Sequence, residues 1–354
     1  MNIELQDLPR LLSFIRADDR DTWLKVGNGL KTEFGESAFS YWDSWGANAD
    51  NYNAKDAKSV WKSLKLGNNT LGSVVFFAQA EGWKPDNTEL TLEQKRQFKL
   101  EQEARRAERQ KTVEADAAKL ERMQKVVAAA CSKIWDGYCV LNGQSDYLKR
   151  KQVEAYDVRF INGTILLWVD DLAERAGVVS RSNVKEFFAK LPKPRPENIY
   201  FRRLSHGTLV VPLFATHGML TSLQFITPDG DKKFPKYGKK SGSFCFLPNW
   251  ASFDNAPVVA IAEGYATAAS IHKAIGWPVV VAFDAGNIVP VATTIRDYFP
   301  YETIVICADK DEKRGGEKFA YQAAENIGAR VVVPFFGEPV IDSCTSEINQ
   351  ARSL

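Results

Sequence analysis

Residues 258–336 alternate short, wholly apolar runs with stretches of helical period. The runs at 258–262, 278–283 and 303–308 are rich in Val and Ile, too short for buried helices, and read as strands covered on both faces. Strands alternating with helices predict a parallel α/β sheet over 251–354. At the other end, Leu8, Leu11, Leu12 and Ile15 recur at helical spacing and Trp42 with Trp45 repeats the i, i+3 step, so residues 1–85 read as a bundle of short amphipathic helices. Residues 92–130 hold Glu, Gln, Lys, Arg and Ala without Gly or Pro, predicting one long exposed helix that links the ends, within a segment spanning 86–130. Apolar positions thicken only towards Leu120, Met123, Val126 and Val127. The helix is therefore expected to dock by its C-terminal part and not to form a coiled coil.

Residues 131–250 read as a mixed α+β region, with strands near 164–169, 208–213, 220–226 and 243–247. The turn-rich 215–218 joins two of these runs as a hairpin. The fold class expected is thus multidomain, α/β and α+β: a helical module, a linker helix, an α+β region and a parallel α/β domain.

Composition changes this picture little. The chain has 354 residues, 45% hydrophobic and 25% charged, with a net charge of +2, so a nucleic-acid surface must come from local clustering. The start carries neither a basic cluster nor a long apolar stretch, and no run reaches the length of a membrane span; a cytoplasmic protein without membrane contact is expected. The five cysteines form no Cys-x-x-Cys pair and the three histidines are scattered, so structural zinc is not expected and the thiols suit a reducing compartment. Trp23, Trp42, Trp45, Trp61 and Trp83 crowd the first 85 residues. They read as an aromatic core, with stacking on single-stranded bases as the alternative.

The chemistry sits at the ends of the apolar runs. The first ends in Glu263-Gly264 and the third in Asp309-Lys310-Asp311. In a parallel sheet these positions fall at the carboxyl edge, where such folds bind ligands. Three carboxylates converging there require a cation, and magnesium (or manganese) fits hard oxygen donors shared with phosphates. Taken alone, an Asp-x-Asp pair also serves as a solvated turn. Gly264 would let a phosphate approach the backbone, and the helix opening at Tyr265 offers free amides. Asp284, closing the second run, reads as a ligand or as a helix cap. Lys232, Lys233, Lys236, Lys239 and Lys240, interleaved with Tyr237 and glycines, read on their own as a solvated turn, with contact to a phosphate backbone as the alternative, a set that Arg202 and Arg203 would extend. No Gly-x-x-x-x-Gly-Lys-Ser/Thr loop is present, so unwinding would need a helicase or another replication protein as partner.

These motifs, Glu263 to Ala268, Ala282 to Asn287, Ala308 to Asp311 and the strand at 328–334, together resemble the Toprim domain of primases carried by phages, plasmids and other mobile elements. Residues 146–151 and 207–240 are similar to the core subdomain preceding it, although Lys151 stands where the family has glycine. Residues 18–64 resemble the primase C-terminal type 2 module. The resemblance implies that Glu263, Asp309 and Asp311 hold magnesium and act at the reacting phosphate. It implies that the lysine run steers template and nucleoside triphosphates. Many relatives close the region with a further acidic motif, for which Glu347 is the substitute here and Gln350 a neutral departure. The function implied is a DNA primase making short RNA primers on single-stranded DNA. A Toprim nuclease, or a replication adaptor that binds single-stranded DNA or a helicase, are the alternatives.

Overall fold

The computed structural model describes residues 3–64, 67, 69–85, 91–309 and 315–334. The chain divides into two compact units, Met1–Lys119 and Leu120–Leu354.

The first unit holds the short helices α1 (Leu8–Leu12), α2 (Arg20–Phe34), α3 (Phe39–Gly46), α4 (Ala54–Ser63) and α5 (Leu71–Ala80). Their starts follow capping chemistry: Asp19 accepts from the Thr22 amide at 2.8 Å, and Asn53 accepts from the Lys55 and Asp56 amides. Tryptophan fills the centre. Trp42 is fully buried, stacks on Trp23 with centroids 4.2 Å apart and tilts against Trp61 at 5.2 Å. The indole N–H groups of Trp42, Trp45 and Trp61 donate to Trp23 O, Ile15 O and Glu36 Oε2, which removes the penalty of burying them. Gly27 and Gly46 make the packing possible, since a Cβ on either would stand 2.7 Å from an indole ring. All five tryptophans are at most 8% exposed, so these rings are core and offer no face to a base.

Helix α6 (Leu92–Gly137) runs for 46 residues, and the division between units falls inside it. It extends seven residues beyond the expected stop at 130, because Cys131 to Ile134 continue its buried stripe. Met123, Val127, Ala130, Cys131 and Ile134 are buried against Ile165, Leu167 and Phe225, so docking by the C-terminal part holds.

The described residues of the second unit form three sheets. After β1 (Cys139–Val140), α7 (Asp146–Lys151) and β2 (Arg159–Ile161) comes a three-stranded antiparallel sheet that sequence periodicity only half revealed: β3 (Ile165–Asp170), β4 (Arg175–Ser180), α8 (Val184–Ala189) and β5 (Ile199–Leu204), with β3 central. The hairpin forms as expected from β6 (Leu209–Phe214) and β7 (Leu220–Ile226), with a bulge at Leu213/Phe214. Strand β8 (Lys232–Lys233) then completes a sheet of order β1-β2-β6-β7-β8.

The last sheet has the order β13-β12-β10-β11-β9. Strand β9 (Cys245–Leu247) is its antiparallel edge, and β10 (Val258–Ala262), α9 (Tyr265–Ile275), β11 (Val279–Val281), α10 (Ala285–Tyr298), β12 (Thr303–Cys307), α11 (Gly315–Ile327) and β13 (Arg330–Val332) make the parallel part. Its central strands are buried on both faces, as wholly apolar runs require. Residues 244–247 also stitch this sheet to the hairpin, because Phe214 and Phe244 exchange both backbone hydrogen bonds at 2.8 and 3.0 Å.

Candidate active site at the carboxyl edge of the parallel sheet

Register sets the geometry. Ala262 is level with Val281 on one side and Cys307 on the other, so Glu263, Phe283 and Asp309 all emerge from the same edge within two residues of their strands. The Phe283 amide donates to Glu263 O at 2.7 Å, fixing the turn after β10. Glu263 and Asp309 meet at Gly316, in the first turn of α11. A Cβ placed there would lie 3.6 Å from Glu263 Oε2 and 3.0 Å from Asp309 O. Thr267 Oγ1, one turn into α9, donates to Asp309 Oδ1 at 3.5 Å. Both acidic residues are half-buried. Burial pushes the neighbouring Cys307 thiol up to about 11, and the negative charge of Asp309 adds to it.

Asp311 and Glu347 lie outside the described residues. Among the described residues no group of three His, Cys, Asp or Glu side chains gathers at one point. The missing side chain of Gly316 leaves room beside the Glu263 carboxylate and the Asp309 backbone, and carboxylates at one sheet edge are hard oxygen donors whose chemistry fits a divalent cation such as magnesium.

Asp284 is a cap. Its carboxylate accepts from the Asn287 amide at 2.9 Å at the start of α10 and pairs with Lys240. Ahead of it, Phe283 has a φ of +73°, a left-handed conformation that bulky residues rarely adopt. The strained turn is held by the amide to Glu263 and by an edge contact between Phe283 and Phe234, with ring centroids 6.1 Å apart.

The five lysines do not form one patch. Lys232 Nζ reaches the amino end of α9, where a Cβ on Gly264 would stand 3.4 Å from it. Lys240 lies at the same edge, paired with Asp284 and over the Phe234 ring at 5.2 Å. Lys236 points to the three-stranded sheet instead, 3.2 Å from the Tyr200 centroid and 3.8 Å from Asp171 Oδ2. Lys233 folds back on Asp231 at 3.6 Å, and Lys239 is exposed while its carbonyl accepts from Thr221 and Ser243 hydroxyls. Arg202 and Arg203 sit on β5 opposite Leu167 and Leu166. Alternation puts Arg202 on the strand face of Tyr200, which Lys236 covers, and Arg203 on the other.

Three positions at this edge have contacts that no motif foretells, although Thr267 and Asn287 stand inside two of the motifs. Gly316 was signalled only by the Gly315-Gly316 doublet opening a helix. Thr267 shows as an ordinary helical residue. Asn287 is buried and ties α10 to the chain before β9, donating to Ser243 O and Ala282 O and accepting from the Gly242 amide at 2.7 Å.

Comparison with known proteins gives the same assignment. Residues 258–344 match the family described as "Toprim domain" and residues 7–78 that described as "Primase C terminal 2". Two proteins of Escherichia coli, both named DNA primase TraC, are 35% and 34% identical over 133 residues. That stretch is 36% of this chain and only 9% and 12% of theirs. Among solved structures, a DnaG primase catalytic domain bound to single-stranded DNA overlaps 66% of this chain and 77% of its own at 14% identity and a TM-score of 0.34. A primase of Aquifex aeolicus with zinc-binding and RNA polymerase domains overlaps 61% and 56% at 16% identity and a TM-score of 0.37. The carboxyl edge that gathers Glu263 and Asp309 is that of a Toprim domain, and the tryptophan-centred helices at the other end of the chain are a primase C-terminal 2 segment.

Proposed function

We propose that this chain is a DNA primase that joins ribonucleotides on a single-stranded DNA template in the replication of a mobile element. The observation that carries the reading is the meeting of Glu263 and Asp309 at Gly316, on adjacent parallel strands. The sequence relationship to two proteins named DNA primase TraC supports the same direction.

In this reading Glu263, Asp309 and Asp311 hold magnesium, with Glu347 as a further candidate. The metal supplies charge neutralisation on the phosphoryl oxygens. The chain's own residues do the positioning. The free amides at the start of α9 and the Lys232 ammonium take the anionic phosphates, aided by a favourable helix dipole. Thr267 orients the Asp309 carboxylate. Lys240, neutralised in part by Asp284, aligns the loop at 232–240 with the sheet edge, while Lys236 and Arg202 offer cations further along for template phosphates. Lys233, Lys239 and Arg203 complete the proposed nucleic-acid surface. Catalysis of this kind is positioning with electrostatic stabilisation. A replicative helicase is the expected partner.

The test is incubation with single-stranded DNA, magnesium and labelled ribonucleotides. Extension products are expected, and Glu263→Gln or Asp309→Asn should lower their yield by about 100-fold or more, the usual effect of removing a group that stabilises transition-state charge. Shortened template with no extension would replace the primase reading by a nuclease. Replication of the element that survives both substitutions would replace it by an adaptor.

A further inference from the structure

The three-stranded sheet turns one face to α6 and the other away from it. Strand alternation puts Ile165, Leu167 and Val169 on the α6 side, where they are buried. On the outer side lie the rows Val179–Leu166–Arg203 and Gly177–Trp168–Phe201. Helix α8 lies over this outer side without sealing it. None of its residues is buried, Phe188 is 36% exposed, and Trp168, Phe187 and Phe201 are half-buried.

The rings form one connected surface. Trp168 lies across Gly177, where a Cβ would stand 2.9 Å from the indole. Phe187 meets Trp168 at 5.6 Å and Phe201 at 5.9 Å, and Phe188 meets Phe201 at 5.2 Å, so aromatic surface runs unbroken from the central strand to the helix. At its rim the Arg195 guanidinium sits 5.2 Å from the Phe201 centroid.

Positive charge concentrates around these rings. From the start of β4 to the end of β5, residues 175–204 hold eight Arg and Lys against two Glu. The whole chain holds 46 basic against 44 acidic residues, so the rest of it, with 38 against 42, is net negative. Of the eight, only Lys190 forms an ion pair among the described residues, with Glu186. Asp170, the carboxylate on the outer face, already accepts through Oδ1 from the Leu172 and Ala173 amides and from Asn198 Nδ2.

A ligand that fits this face brings flat apolar planes to lie on rings and repeated negative charges to meet cations. An unpaired nucleic-acid strand has both. A duplex hides the planes of its bases, and an acidic peptide brings charge without planes. We infer that the outer face of β4-β3-β5, with α8 and the loop carrying Arg195, is a docking surface for single-stranded DNA. It lies on the opposite side of the sheet from Tyr200, Arg202 and Lys236, and it needs none of the chemistry at the acidic edge. Only the choice of DNA over RNA rests on the template reading above.

The experiment is a fluorescence-anisotropy titration of the full chain, in EDTA and without nucleotides, so that a failure of primer synthesis has no bearing on it. The probes are a short labelled oligothymidylate, its duplex with oligoadenylate, an oligouridylate and polyglutamate. Oligothymidylate should bind at least about tenfold more tightly than the duplex or polyglutamate, and no less tightly than oligouridylate. Phe188→Leu should weaken it about tenfold while Phe188→Tyr retains it, because a ring that only fills space tolerates leucine and a stacking platform does not. Arg195→Gln should weaken it and lower the salt dependence by about one phosphate contact. Photo-crosslinking of a strand carrying 5-iododeoxyuridine to the unaltered chain should label peptides within 175–204. Wild-type affinity in Phe188→Leu, equal binding of duplex or polyglutamate, tighter binding of oligouridylate, or crosslinks confined to peptides outside 175–204 would each overturn the assignment.

Discussion

A methyl group at Gly316 would stand 3.0 Å from the Asp309 carbonyl oxygen, closer than a settled Cβ contact allows, with Glu263 Oε2 just beyond. One acidic strand end would have to move. Gly316→Ala is therefore expected to cost about 1–3 kcal/mol of stability as local overpacking and, if the proposed primase function holds, to reduce primer synthesis far more than its unfolding midpoint suggests. Denaturant titration and the extension assay, run on the same preparation, check both halves. The neighbouring Asp284 gives a milder expectation. Asp284→Ala removes the cap on α10 and the partner of Lys240, and should lower stability by about 0.5–2 kcal/mol in chemical unfolding. At this scale the sequence was legible where chemistry repeats in type, as with Glu263 and Asp309 at the ends of apolar runs. It was not legible where the role depends on who stands opposite. The glycine doublet and the motif around Thr267 do not say what Gly316 and Thr267 will face, and whether Asp284 binds a ligand or caps a helix was decided by the amide of Asn287.

Among the elements, α6 shows how an uninterrupted run of helix formers can serve two ends differently. Ile134 is wholly buried against the three-stranded sheet and the hairpin, whereas Leu100 is 54% exposed. Ile134→Ala is expected to destabilise the second unit by about 2–5 kcal/mol, and Leu100→Ala by less than about 0.5 kcal/mol, as thermal melts of the two variants would show. The helix, the β6–β7 hairpin and the parallel strands were all readable from period and turn chemistry. The three-stranded sheet was not. Its second and third strands, β4 and β5, carry Arg175, Arg202 and Arg203 among the apolar residues, so alternation is blurred by cations. The basic loop was readable as a cluster in sequence but not in space, since its lysines answer to partners as different as Asp231, Tyr200 and Asp284.

For the whole molecule, the division inside α6 leads to an expectation about independence. A fragment spanning residues 120–354 should fold on its own and keep the thermal transition of the second unit, because its sheets and their helix partner lie within it; scanning calorimetry of fragment and full chain tests this. Alkaline pH provides another probe. Burial pushes the thiols of Cys131 and Cys139 up to about 12 and that of Cys307 to about 11, above the ordinary 9.0 of an exposed thiol. A folded-state value above the unfolded one means that the neutral thiols stabilise fully below pH 9, and that this contribution is lost as pH rises towards 11–12. The melting temperature should fall over that window, with a shallower fall in Cys307→Ala.

The backbone exchange between Phe214 and Phe244 makes the hairpin sheet and the parallel sheet one continuous ribbon of hydrogen bonds at that corner. Two plates riveted along a seam cannot gape like a clam, so the aperture between them keeps a fixed width there. The basic loop at 232–240 is fastened to the same corner at both ends, by the pairing of β8 with β7 and by the Thr221 and Ser243 hydroxyls on the Lys239 carbonyl, so its lysines travel with the seam and not against it.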